Sequence, residues 1–150
     1  MRAVLQLVTE ASVTISNKVS GKIKKGYFIL LGIENGDSQQ DIDWLCGKIS
    51  KIRLFADEND KMNLSIRDVN GEILVVSQFT LHASIKKGKR PSFIKAAKPE
   101  IAIPLYKQFI SSIAKEIKLP IQTGEFGAKM DVALINNGPV TIIIDSKNPY

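Results

Sequence analysis

Tyr27-Phe28-Ile29-Leu30-Leu31-Gly32-Ile33, set between Gly26 and Glu34-Asn35-Gly36-Asp37, is the stretch on which the fold class turns. Nearly continuous apolar residues of this kind suit a strand covered on both faces. Beyond it, Ser38 or Asp37 can cap a helix in which Ile42, Leu45, Cys46, Ile49 and Ile52 share one face, and the spacing predicts an end near Leu54. Before it, residues 2–8 alternate weakly. Ser12 to Ile15 and Val19 to Ile23 then read as strand and turn around Asn17-Lys18.

The chain further on repeats this vocabulary in a different order. Ala56 to Lys61 is turn-like, Met62 to Ile66 is ambiguous, and Asn70-Gly71 announces a strand over Glu72 to Phe79. Pro99-Glu100 can open a second helix reaching about Lys118, with Ile101, Leu105, Phe109, Ile113 and Ile117 as its stripe. Pro104 is tolerable only if it falls in the first turn, and Pro120 fits a stop. Ile121 to Phe126, Asp131 to Asn136 and Val140 to Ile144 predict three more strands, the last two joined tightly at Asn137-Gly138-Pro139. Strands and helices do not alternate strictly, so the expected class is α+β and not a doubly wound parallel sheet.

With 150 residues, 44% hydrophobic and 24% charged, the composition is that of one ordinary globular domain over 1–150. No apolar run approaches the roughly 20 residues needed to cross a bilayer, and the amino terminus lacks a signal peptide's long apolar core, so a cytoplasmic protein is expected. Cys46 is the only cysteine and His82 the only histidine. An internal disulfide is therefore excluded, as are the usual zinc sites, and neither a metal nor a cofactor is expected. The net charge of +6 is concentrated between Lys86 and Lys98, where Lys86, Lys87, Lys89, Arg90, Lys95 and Lys98 meet no acidic residue. Such a run is either a solvated loop or a phosphate-contacting patch. Gly88, Pro91 and Phe93 favour a structured loop that packs at one end and leaves its charges free.

Two segments carry the chemistry: Ser77-Gln78-Phe79-Thr80 and Asn136-Asn137-Gly138-Pro139-Val140-Thr141. They offer small hydroxyls, amides and bare backbone. Both resemble the two motifs of the D-aminoacyl-tRNA deacylases, and similarity also runs through Met1 to Val4, Ala11 to Val13, Lys61 to Ser65, Lys87 to Phe93 and Thr123 to Ala128. Ile85 and Ile94 stand where small or polar residues are expected. The resemblance implies a curled mixed or antiparallel sheet with two main helices, in a homodimer whose Gly138-Pro139 turn, with a cis bond, crosses into the partner's site.

It further implies hydrolysis of D-aminoacyl-tRNA, assisted by the 2′-hydroxyl of the terminal adenosine and without a protein nucleophile. Ser77, Gln78, Phe79 and Thr80 become the catalytic set, and Asn136, Gly138 and Pro139 the chirality gate. Phe126 and Met130 become apolar lining, with a place in the core equally open to them, while Lys86, Lys87, Lys89 and Arg90 become the tRNA contact. Neither membrane nor DNA is an expected partner. A gate that works by exclusion would admit glycine and so glycyl-tRNA. Alternatives are an esterase with Thr80 as nucleophile, activated by His82 if the strand continues and both side chains share a face, a non-catalytic RNA-binding module, and a small-ester hydrolase indifferent to RNA.

Overall fold

A computed structural model describes residues 1–149. β1 (Arg2–Ile15) is one uninterrupted strand. The polar residues Thr9 and Glu10, which divide it in the sequence, simply face solvent. Ser16 and Asn17, with φ of 48° and 64°, form the tight turn into β2 (Lys18–Ile23), a left-handed pair that suits a two-residue hairpin. The turn lies one residue earlier than the sequence suggests. β3 (Gly26–Gly32) pairs antiparallel with the first half of β1. β6 (Glu72–Ser77) then lies parallel to β3, and the short β7 (Gln122–Thr123) lies parallel to β6. The sheet is mixed, as an α+β chain of this order allows.

The sheet curls until its ends approach. Ser20 Oγ donates to the Thr123 carbonyl at 3.2 Å. A Cβ on Gly21 would lie 2.8 Å from the same oxygen, so only glycine permits the closure. The curl separates two apolar clusters, and the alternation along β3 and β6 feeds both. Tyr27, Ile29, Leu31, Ile73 and Val75 join Leu45, Ile49, Phe109 and Ile113 of the helices, while Phe28, Leu74 and Val76 join Val8, Val13 and Ile23 inside the curl. This is why the Tyr27 stretch is apolar on both faces.

α1 (Gln39–Lys51) is entered at Ser38, whose N–H donates to Asp41 Oδ2 at 2.8 Å. It stops before Leu54 because β4 (Arg53–Ala56) pairs with β5 (Met62–Ser65) and stacks Phe55 on Tyr27 with ring centres 5.1 Å apart. α2 (Pro99–Ile117) ends on Lys118 in the left-handed conformation. Its inward face is Ala102, Tyr106, Phe109, Ile113 and Ile117. Ile101 is 49% exposed, contrary to the expected stripe. Tyr106 takes the inward position instead, burying its ring while its hydroxyl donates to the Val75 carbonyl at 3.1 Å. Pro104 lies beyond the first turn, also against expectation. It is exposed, as is Glu100, so water can serve the carbonyl that the missing N–H leaves unpaired.

β8 (Asp131–Asp145) is the largest departure. The sequence predicts two strands joined tightly at Asn137-Gly138-Pro139, yet both halves belong to one strand and pair antiparallel with β1 in the same direction. The strand predicted over Ile121 to Phe126 shrinks to Gln122–Thr123. Among the described residues no helix is long and apolar enough to cross a membrane.

Candidate active site

The end of β6 forms one wall of a cleft. Ser77 closes the ladder opposite Leu31, and the Gln78 N–H donates to the Leu31 carbonyl at 2.8 Å. The strand was expected to run through Phe79. The chain instead turns into a single 3₁₀ turn over Phe79–His82, with the Leu81 N–H on the Gln78 carbonyl at 3.3 Å and the Ala83 N–H on the Thr80 carbonyl at 3.0 Å. Gly32 explains the position of this turn. A Cβ there would stand 3.0 Å from the Gln78 carbonyl oxygen, 3.0 Å from Leu81 Cβ and 3.1 Å from His82 Cδ2.

The opposite wall comes from the segment between β7 and β8. Phe126, Gly127, Ala128 and Met130 face Ser77, Gln78 and Phe79 across a cleft of about 260 Å³. Phe126 rests edge-on against Tyr106 with ring centres 5.6 Å apart, and Met130 packs on the cluster inside the curl. Both are lining and core at once. Residues separated by some fifty positions in sequence thus line one cleft, and Thr80 is not among them. Its hydroxyl hydrogen-bonds to Gln78 Nε2 and its side chain is exposed, outside the cleft lining.

The pairing of Thr80 with His82 on one strand face does not occur, because the strand has ended. His82 is 4% exposed, turned inward from a 3₁₀ turn in which residues two apart point away from each other. Its Nδ1 lies 3.9 Å from Glu34 Oε2, and its buried Nε2 has no hydrogen-bond partner among the described residues. Glu34 leads to a charged cluster that sequence reading missed. The Met1 ammonium lies 3.9 Å from Glu34 Oε1, and donates to Asp37 Oδ1 at 2.6 Å and to Ser146 Oγ at 2.9 Å. Ser146 Oγ in turn donates to Asp41 Oδ1 at 2.6 Å. Burial alone would raise the Asp41 pKa. Hydrogen bonds from Ser146, the Ser38 N–H and Lys147 outweigh it and bring the carboxyl down to about 2.

The basic segment is a hairpin. The Ser84 N–H donates to the Ser92 carbonyl at 2.8 Å and the Ser92 N–H to the Ser84 carbonyl at 2.9 Å, with Lys86, Lys87, Lys89 and Arg90 exposed at the tip. Phe93, just past the neck, meets Phe79 edge-on with ring centres 4.9 Å apart.

The second motif stands elsewhere. Gln6 pairs with Thr141 and Val8 with Asn136, so Asn137 to Val140 bulge out opposite Leu7. The Gly138-Pro139 bond is cis, as the resemblance implies, and both residues are exposed. Asn136 clamps the bulge: its Oδ1 accepts from the Val140 N–H at 3.2 Å and its Nδ2 donates to Thr141 Oγ1 at 3.1 Å. Asn137 and Gly138 border a separate depression of about 290 Å³ beside Leu7, Phe55 and Met62. Within one chain the two motifs are not brought together.

Burial holds the Cys46 thiol in the core and, with Glu116 and Asp43 nearby, pushes its pKa up to about 12, as suits a packing residue.

The fold places the protein in a known class. The solved structure of a probable eukaryotic D-amino acid tRNA deacylase superposes with a TM-score of 0.81 over 95% of this chain and 97% of its own, at 15% identity, which establishes the shared fold. At 40% identity, the solved structure of the c-Myc DNA unwinding element binding protein superposes with a TM-score of 0.90 over 97% of this chain and 98% of its own. Proteins named D-aminoacyl-tRNA deacylase from Flavobacterium johnsoniae and Flavobacterium psychrophilum are 60% and 62% identical over 148 residues, covering 99% of each chain. The model of the D-Tyr-tRNA(Tyr) deacylase family matches residues 4–145. The chain belongs to that family of hydrolases acting on aminoacyl-tRNA esters.

Proposed function

We propose that this protein hydrolyses the ester of D-aminoacyl-tRNA to free amino acid and tRNA, in the cleft between the Phe79 turn and the Phe126–Met130 segment. The observation that carries this reading is the meeting of Ser77, Gln78 and Phe79 with Phe126 and Met130 around one small cleft. An aminoacyl ester is already activated, so its cleavage demands less transition-state stabilisation than that of an amide. Water adds to the carbonyl carbon, the bond to the ribose oxygen breaks, and that oxygen takes a proton. The neighbouring 2′-hydroxyl, held in alignment, assists; positioning contributes most of the rate. The opening N–H groups of the 3₁₀ turn, those of Phe79 and Thr80, precede its own ladder and suit a developing oxyanion.

Handedness is read by exclusion. The exposed Gly138-Pro139 bulge of one subunit closes the cleft of its partner, and its backbone occupies the space that an L side chain would need. Support for a second copy comes from β8, which presents Val132, Ile135 and Ile143 at 38%, 54% and 54% exposure. Glycine has nothing to exclude, so glycyl-tRNA is a substrate too. The hairpin cations meet phosphates of the tRNA, and activity falls as salt rises.

Deacylation of matched D- and L-tyrosyl-tRNA, with and without the terminal 2′-hydroxyl, tests substrate, handedness and mechanism together. Cleavage of the D ester alone, lost with the 2′-hydroxyl, is expected; equal cleavage of both mirror forms would sink the exclusion model. Thr80→Ala keeps the backbone and is expected to retain the single-turnover rate to within about threefold. Collapse to the uncatalysed rate, or an acyl group trapped on Thr80, would restore the nucleophile mechanism.

A further inference from the structure

We propose that Phe93 is a positioning residue that ties the placement of Phe79 in the cleft wall to the grip of the basic hairpin on nucleic-acid phosphates. The proposal rests on the reading that Lys86, Lys87, Lys89 and Arg90 contact tRNA.

Phe79 is 54% exposed and Phe93 37% exposed, and neither belongs to the two apolar clusters. Core packing therefore does not explain why the rings meet. Their edge-to-face contact joins two structures that are otherwise separate: the turn that lines the cleft, and the outgoing strand of the hairpin.

The segment is tied to the body of the protein behind Phe93 and only to itself ahead of it. Behind, the Asn35 N–H donates to the Lys95 carbonyl at 3.0 Å, the Ala97 N–H to the Ile33 carbonyl at 3.0 Å, and Asn35 Nδ2 to the Ile94 carbonyl at 3.2 Å. Ahead lies the neck, two hydrogen bonds between Ser84 and Ser92, and then an exposed tip turning at Gly88 with φ of 70°. Among the described residues none of the four tip cations has a carboxylate within ion-pair distance. Like charges crowded on so small a tip repel one another, and phosphates relieve that repulsion. Closing the neck seats Phe93 on Phe79, and seating Phe93 favours the closed neck. The coupling is reciprocal, so phosphate binding at the tip orders the aromatic wall of the cleft.

Measuring kcat and KM on D-tyrosyl-tRNA, and on 3′-O-D-tyrosyl-adenosine as a substrate without phosphates, tests this in four proteins. They are the wild type, Phe93→Ala, the variant with Lys86→Gln, Lys87→Gln, Lys89→Gln and Arg90→Gln, and the combination. Phe93→Ala is expected to lower kcat/KM on tRNA about three- to tenfold, the size of an aromatic pair, with a clearly smaller loss on the adenosine ester. The combination is expected to be no worse than the charge variant alone, since the ring has nothing left to transmit. Equal losses on both substrates, or losses that multiply in the combination, would reduce the contact to local packing and overturn the proposal. No loss at all on Phe93→Ala would do the same. Undiminished tRNA affinity in the charge variant would instead remove the hairpin from docking, a failure of the underlying reading that also ends this one. A wild type inactive on tRNA while active on the adenosine ester would point past both, to a small-ester hydrolase.

Discussion

The turn after β6 and the bulge within β8 use similar residues, small, polar or bare, for opposite purposes. The first is pressed against Gly32, paired through Gln78 to β3, and forms the wall of a cleft whose other wall belongs to the same chain. The second projects from the middle of a strand, is held only by Asn136 and its ladder on either side, and borders none of that cleft. One region is a finished piece of a site. The other has a shape without a local target, so the gating role proposed for it requires a second copy.

The sharpest way to break this contrast is to remove the bulge. Gln6 pairs with Thr141 and Val8 with Asn136, so deleting Asn137, Gly138 and Pro139 leaves Val140 opposite Leu7 and in register with both neighbours. The fold should survive, judged by circular dichroism and melting, while D-tyrosyl-tRNA deacylation falls more than about a hundredfold, the scale of misplaced reacting groups. Activity within threefold of wild type would show that the bulge is no part of any site.

Gly32→Ala attacks the other region. The added methyl must move the Gln78 carbonyl, Leu81 or His82, and an overpacked contact of this kind costs about 1–3 kcal/mol. A loss of roughly tenfold in kcat with the bulge unaltered is expected, because the 3₁₀ turn shifts against the scissile ester. Stability lost with kcat intact would detach the turn from catalysis.

Mixing the two variants sharpens the comparison. If the cleft and the bulge of a working site come from different chains, a mixed dimer holds one intact pair, and random pairing restores about a quarter of the sites. Co-refolded deletion and Gly32→Ala proteins should recover activity to that extent in a deacylation assay. Strictly additive activity would place both regions in one chain.

The smallest effect concerns how the end of β8 is anchored. Asp41 accepts from Ser146 Oγ, just past β8, and its folded pKa of about 2 lies below the ordinary carboxylate value near 3.9. A depressed pKa means stability that is present above about pH 4 and lost as pH falls toward 2, worth about 2 kcal/mol. Asp41→Asn should lower unfolding free energy by that order at pH 7 and flatten its acid limb. An unchanged acid limb would remove Asp41 from the anchor.

Much of this is legible in the sequence. The spacing of Ile42, Leu45, Cys46 and Ile49 marked α1, and Tyr27 to Ile33 marked a strand buried on both faces, because apolar periodicity is a local consequence of which faces meet water. Phe126 and Met130 lie across a cleft from Ser77 to Phe79, a neighbourhood that no local pattern in the sequence announces. Less legible were the boundaries set by long-range partners. β6 stops at Ser77 because Gly32 admits a turn there, and nothing near Phe79 announces this. Likewise Asn137-Gly138-Pro139 has the composition of a reversal, but pairing with β1 on both sides keeps the strand running straight.

What the residues alone determined is therefore the inventory: an α+β chain, its apolar faces, a basic loop, and two motifs with the chemistry of amides and hydroxyls. Only the tertiary structure decided which of them meet. Side-chain period and turn chemistry are written within a few residues, whereas the curl, the seat of the 3₁₀ turn on Gly32 and the contact of Phe93 with Phe79 depend on segments far apart in sequence. Local preferences are weak beside such packing, and where the two compete, packing wins.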